Sequence, residues 1–238
     1  DEAHKVVDIL ADLWSRPESE VPSAGVVTFN LRQADLIEEL LEERAETDEK
    51  FRTAYRRELD RNEGGEDMSF FVKNVENVQG DERDIIMFST TFGRTRTGAF
   101  RRNFGVLGQA GGERRLNVAV TRARRRVIIA GSMPIAEISD MLRTRRRPEV
   151  ARDYLQAYLH YASLVSAGNL EESRRLTERL CGEISESRGK AADLDGFQES
   201  VASFIRELGF EPIPTGNDPV LGVDFSIRDP QTGLFGVG

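Results

Sequence analysis

Residues 115–131 read Arg-Leu-Asn-Val-Ala-Val-Thr-Arg-Ala-Arg-Arg-Arg-Val-Ile-Ile-Ala-Gly. Leu116 and Val120 stand four apart, the spacing of one helical face, and Val127-Ile-Ile-Ala is a β-branched run of buried-strand length. A short helix feeding straight into such a strand is half of an α/β unit, and the flanking sequence repeats the theme. Asp84-Ile-Ile-Met-Phe-Ser and Phe70-Phe-Val-Lys-Asn-Val read as strands separated by the polar turn Gln79-Gly-Asp-Glu. Gly25-Val-Val-Thr-Phe-Asn, after Pro22, reads as another. Leu36, Ile37, Leu40 and Leu41 mark a helix beginning near Gln33, and Val6, Ile9, Leu10 and Leu13 mark one closed by Ser15-Arg-Pro-Glu-Ser. Strands alternating with helices predict a parallel sheet with helices on its faces. Residues 45–67, charged and ending in Glu63-Gly-Gly-Glu, are expected to be an exposed insertion, and residues 93–112 a Gly/Arg-rich loop.

The texture changes after Pro148. Val150, Tyr154, Tyr158, Tyr161 and Leu164 predict a longer helix, and Leu170, Leu176 and Leu180 another. A polar linker at Glu186–Lys190 precedes a helix carrying Val201, Phe204, Ile205 and Leu208, stopped at Gly209. Two strands are expected around Gly222–Ile227 and from Leu234 onward. With 39% hydrophobic residues and 13 Phe the chain has enough apolar content for a packed core, so disorder is excluded. The lone Cys181 cannot close an internal disulfide. No signal peptide or membrane-length apolar run is visible, and the expectation is a cytoplasmic protein without a membrane partner. A start at Asp1 without Met, and an end at Gly238 inside a strand-like run, are those expected of a piece of a longer protein.

Charge is segregated within the net of -8. Leu36–Asp67 is acidic, whereas Arg94–Arg147 is crowded with arginine against only Glu113, Glu137 and Asp140. Such a stripe is either a footprint for phosphate or a solvated face that meets the acidic region. Charge alone does not choose between them.

Asp1-Glu-Ala-His spells an ATPase acidic box, yet no apolar strand precedes it. Its acids sit where a helix opens and the dipole is positive. No Gly-x-x-x-x-Gly-Lys-[Ser/Thr] phosphate loop occurs in the chain. Three segments taken in order say more: Val26-Val-Thr-Phe-Asn-Leu-Arg-Gln33, Val75-Glu-Asn-Val-Gln-Gly-Asp-Glu-Arg-Asp84, and Arg115 to Arg124. They resemble motifs IV, V and VI of superfamily 1 helicases, in the branch that contains the nonsense-mediated-decay helicase. The resemblance covers roughly residues 1–140 and implies the second RecA-like domain of that motor. It implies Arg122 as an arginine finger, with Gln79, Gly80, Glu82 and Gln33 at the nucleotide. Phe29-Asn30 stands where relatives often carry a Pro-aromatic pair. Hydrolysis builds charge on the γ-phosphate, and a guanidinium from a facing domain meets it. ATP and Mg²⁺ are implied cofactors, shared with a first RecA-like domain that brings the phosphate loop. Arg94, Arg96, Arg101 and Arg102, between motifs V and VI, are then candidates for the nucleic-acid backbone, single-stranded or duplex and more in keeping with DNA.

Phe197-Gln-Glu-Ser-Val, Gly209-Phe and Gly222-Val-Asp-Phe-Ser-Ile-Arg-Asp-Pro230 resemble the opening of a PD-(D/E)xK nuclease domain of the very-short-patch-repair type. This implies Asp224 as a divalent-metal ligand, with Glu199 as a helix carboxylate and Mg²⁺ as the metal. The plain alternative is a half-exposed strand in which Val223, Phe225 and Ile227 alternate with polar residues. The expected organisation is thus a RecA-like α/β domain at 1–142, a helical connector at 143–190, and a truncated restriction-endonuclease-like α/β domain at 191–238. The expected function is the C-terminal motor half of a helicase or translocase with a nuclease-like appendage. The alternatives are a RecA-like binding module without turnover, or an endonuclease for which the motor is a loader.

Overall fold

The computed structural model describes residues 2–181, 196–207, 210–214, 225–228 and 235–236. Four strands form one parallel sheet: β1 (Ala24–Thr28), β4 (Phe71–Asn74), β5 (Arg83–Ser89) and β6 (Ala123–Ala130), in the order β4-β1-β5-β6. Side chains alternate across a pleated strand, so each strand serves both faces. Val26, Ile85 and Met87 turn to one face, where α1 (Glu2–Trp14) and α2 (Leu31–Thr47) bury Leu10, Leu13, Ile37 and Leu41. Val27, Ile86 and Phe88 turn to the other, together with Leu116 of α4 (Gly112–Val120) and Leu155 and Leu159. The expected α/β fold, a parallel RecA-like sheet flanked by helices, is what the chain adopts.

Residues 45–67 are not an exposed insertion. α2 continues to Thr47, and Asp48 then caps α3 (Glu49–Leu59), its carboxylate accepting from the Phe51 N–H. Phe51, Ala54 and Tyr55, spaced i, i+3, i+4, are buried. The rings of Phe51, Tyr55 and Phe70 surround Trp14 at 5.0–5.6 Å between centroids. The charged composition hid this apolar stripe. The hairpin of β2 (Asn62–Glu63) and β3 (Glu66–Asp67) is exposed.

After β6 come two single turns, α5 (Ile135–Ile138) and α6 (Met141–Thr144), then α7 (Ala151–Ser166), which packs on α4, α5 and α6. The residues that α7 buries differ from the expected stripe. Ala151, Leu155 and Leu159 face the core, while Val150 and Tyr161 are exposed. A polar joint fixes α7 to what precedes it. Asp153, fully buried, accepts from the Glu149 and Val150 N–H groups and from the Ser139 hydroxyl. It also pairs with Arg146, whose Nη1 lies 2.6 Å away. Burial alone would push the Asp153 carboxyl up, but Arg146, Ser139 and the two backbone donors hold it well below the usual carboxylate range. Gln156 completes the joint, donating to the Ile135 and Ser139 carbonyls.

The chain divides into two compact units, Asp1–Arg174 and Arg175–Gly238, with α8 (Leu170–Cys181) across the division. Within the second, α9 (Gly196–Glu207) accompanies an antiparallel sheet of β7 (Pro212–Pro214), β8 (Phe225–Arg228) and β9 (Phe235–Gly236). The linker at Glu186–Lys190 and the helix stop at Gly209 fall outside the described residues.

Candidate nucleotide and nucleic-acid site

The residues singled out in the sequence collect at opposite ends of the sheet. β5 and β6 pair in parallel from Arg83↔Ala123 to Ser89↔Ala130, with a one-residue register shift between Arg83 and Ile85, and a strand of that length rises roughly 20 Å. Glu82 and Arg122 immediately precede the amino ends of these strands. Gln33 lies at the carboxyl end, beside Ser89.

At the amino end, the close of α4 positions Arg122. Thr121 turns its hydroxyl back to the Asn117 and Val118 carbonyls, and Arg122 Nε donates to the Val118 carbonyl at 3.0 Å. A cation there meets the negative end of the helix dipole. The helix start needs Gly112, because a Cβ would fall 2.6 Å from the Leu107 carbonyl oxygen. The Arg122 side chain is about one-fifth exposed, and its Nη1 is 3.5 Å from Glu82 Oε1. Arg124 approaches the same acid, Nε to Glu82 Oε2 at 3.4 Å, and donates through Nη2 to Glu66 Oε2 at 3.3 Å. Hydrogen bonds to Glu66, outweighing desolvation, and then to Glu82 raise the Arg124 guanidinium above its ordinary value.

The turn before Glu82 is exposed at Gln79 and Gly80, and Gly80 has φ +92°, which a Cβ-bearing residue would adopt only with strain. Lys73 Nζ holds Asp81 at 2.7 Å. Arg83 is buried over the Phe71 ring, 5.1 Å from its centroid, and donates to the Ser69 and Glu82 carbonyls. Burial depresses its guanidinium despite Asp67 and Asp81 nearby. The turn is therefore tied down on both sides, while Gln79 and Gly80 stay open to solvent.

At the carboxyl end, Asn30 caps α2 by accepting from the Gln33 N–H, and Gln33 Nε2 donates to Ser89 Oγ at 2.9 Å. Ser89 Oγ donates in turn to Glu2 Oε2 at 3.2 Å. The Glu2 carboxylate also accepts from the Thr91 and Ser132 N–H groups, both at 2.7 Å, and from the Thr90 and Ser132 hydroxyls. Sequence reading placed this acid at a helix start and missed its partners. Glu2 does open α1, and it also joins the ends of β5 and β6. A Ser-Thr-Thr run closing one apolar strand, and Gly-Ser closing the next, were the available signal.

The arginine loop follows Thr91. Phe92 and Phe100 pack on buried Phe104 at 5.8 and 6.0 Å, so the loop is anchored from within. Arg94 donates to the Gly98 carbonyl and pairs with Glu137. Arg96, Arg101 and Arg102 are exposed.

Asp224 lies outside the described residues, and Glu199 lies on α9. Among the described residues no three acids, histidines or cysteines converge to hold a metal ion. Those residues do not fit Mg²⁺ by themselves. No described helix is long and apolar enough to cross a membrane.

Comparison with known proteins bears on the first unit most directly. The family model described as an AAA domain matches residues 1–134. The chain is 33% identical over 212 residues to a Mycoplasma pneumoniae protein named an uncharacterized ATP-dependent helicase, covering 88% of this chain and 16% of that protein. It is 42% identical over 126 residues to a Mycoplasma genitalium protein of similar name, covering 53% of this chain and 10% of that one. The chain thus spans a small fraction of the length of these relatives.

Proposed function

The chain belongs to the AAA domain family, and from that premise we propose that it is the second RecA-like half of an ATP-dependent nucleic-acid helicase or translocase. The observation that carries the reading is the pairing of Arg122 with Glu82 beside the open Gln79-Gly80 turn. A partly exposed guanidinium, seated on the Val118 carbonyl and loosely held by one acid, can be drawn onto a γ-phosphate presented by a facing domain. The names of the two mycoplasma relatives agree with this. Arg122 is the arginine finger, and Glu82 and the Gln79-Gly80 turn line the nucleotide, whereas Gln33, held on Ser89, stands at the opposite end of the sheet and takes no part in this site. ATP supplies the phosphoryl group whose transfer drives the motor. The phosphate loop and the carboxylate for Mg²⁺ come with the first RecA-like domain of the parent. We assign the motor to the nonsense-mediated-decay-like branch of superfamily 1 and its track to DNA, and residues 191–238 to a nuclease-like appendage with Asp224 as a metal ligand. The residue signatures quoted above support these finer assignments.

Without a phosphate loop the purified chain should hydrolyse no ATP above background, whatever nucleic acid is added. Malachite-green phosphate release measures this directly. Clear turnover that disappears in Arg122→Ala would sink the half-motor reading.

Arg96, Arg101 and Arg102, carried on the phenylalanine-anchored loop with Arg94, are the proposed contacts to the nucleic-acid backbone. Each phosphate contact releases a counterion, so each lost arginine should flatten the log–log salt dependence by roughly 0.7 on a single strand. Replacing all four by alanine should weaken binding about equally across sequences, since backbone contacts carry no base information. Arg94 is engaged by Glu137 and should contribute least. A salt slope in fluorescence anisotropy that does not move in the quadruple variant returns these arginines to a solvated surface.

A further inference from the structure

Arg124 has no part in the reading above, yet it shares an acid with the finger. Glu82 faces two guanidiniums, Arg122 on Oε1 and Arg124 on Oε2, at 3.5 and 3.4 Å. Arg124 in turn faces two carboxylates, Glu82 and Glu66. The four charges form a row: Glu66, Arg124, Glu82, Arg122. Glu66 belongs to the exposed hairpin, whose turn is Gly64-Gly65 with φ +61° and +93°. A two-residue turn with both φ positive fixes a tight hairpin and so fixes where Glu66 stands.

The geometry points to Arg124 as a positioning residue that sets how firmly Glu82 retains the arginine finger, with Glu66 as its counterweight. This rests on the assignment of Arg122 to the γ-phosphate. Arg122 must leave Glu82 to reach a phosphate, and the cost of leaving depends on the charge Glu82 still carries unpaired. With Arg124 in place, Glu82 keeps a cation after Arg122 departs. Without it, Glu82 is left bare and holds Arg122 back. Glu66 acts in the opposite direction because it draws Arg124 toward the hairpin. All four side chains are partly exposed, the acids and Arg124 more than Arg122. Solvent and salt screen the row, so each effect is modest and shrinks as ionic strength rises.

The row predicts effects of opposite sign from two substitutions next to each other. In the full-length parent, with ATP and a single-stranded oligo-dT track, Arg124→Ala should lower kcat roughly fivefold, the scale of one partly exposed ion pair. The nucleotide KM should stay where it is, and Arg124→Lys should recover most of the loss. Glu66→Gln should raise kcat up to about twofold in the wild-type background and have no effect in the Arg124→Ala background. Thermal unfolding of each variant should match wild type, which separates positioning from a folding defect. Three results overturn the row: Arg124→Ala with normal kcat, Arg124→Lys no better than Ala, or Glu66→Gln acting alike in both backgrounds. Arg122→Ala is assayed alongside. If it is active, the underlying assignment of the finger fails as well. If it is dead while Arg124→Ala is normal, only the row fails.

Discussion

Arg122→Ala should lower kcat for ATP hydrolysis by about 10³-fold or more in the full-length parent, the scale on which arginine fingers act. The residue closes α4 with its side chain about one-fifth exposed. Its guanidinium rests on the Val118 carbonyl and on Glu82, and both contacts can be exchanged for a phosphate oxygen. Arg122→Lys should not rescue, because an ammonium keeps the charge but loses the planar fork that spans two acceptors. The nucleotide KM should change far less than kcat, since the contact forms as charge develops on the γ-phosphate. Steady-state kinetics with both variants decide the matter. Normal kcat in both would make Arg122 one more surface arginine.

The second large effect is on stability. Asp153→Ala should cost about 3 kcal/mol in urea unfolding of this chain, within the range for breaking a buried ion pair. It leaves the Ser139 hydroxyl and two backbone N–H groups without an acceptor, and Arg146 without its buried partner. Asp153→Asn keeps the shape and some of the bonds, so it should fall in between. The pH dependence has a definite sign. The folded-state pKa of Asp153 is depressed, so its contribution is fully present above the ordinary aspartate value near about 4. It is lost progressively as pH falls below that value toward the folded one. Wild type should therefore weaken below about pH 4 with a slope that Asp153→Ala lacks. Equal acid slopes in the two proteins would show that other carboxylates carry the dependence.

The parallel sheet was legible because its central strands β1 and β5 are buried on both faces and β6 ends in an apolar run. Val26-Val, Ile85-Ile-Met-Phe and Val127-Ile-Ile are continuous apolar runs that no other element of this length explains. Helix α3 was not legible as core, because Phe51, Ala54 and Tyr55 are three apolar positions among Glu, Lys and Arg, and composition outweighed spacing. The exposed Tyr161 and buried Gln156 misled in the opposite direction. An aromatic residue was assigned to the packed face of α7, while a polar one is buried because it finds three backbone partners. At the site, local sequence identified Arg122, Glu82 and Gly80 as residue types. It could not say that Arg122 and Glu82 meet, since forty positions separate them and only the register of β5 on β6 brings them together. The same holds for Glu2, whose partners are 87 to 130 positions away.

Among the described residues β6 stands at the rim of the sheet, with β5 on one side and no strand on the other. Eight residues of edge backbone, five of them apolar, would ordinarily invite a second molecule to add itself there and begin a fibre. Arg124, Arg125 and Arg126 are exposed along the first half of that strand. A copy arriving in parallel would set guanidinium against guanidinium. One arriving antiparallel would have to seat those groups on Val127, Ile128 and Ile129, stripping away their water. Either approach is penalised, so the arginines that make this region look like a phosphate-binding stripe also disfavour edge-to-edge addition of a second copy.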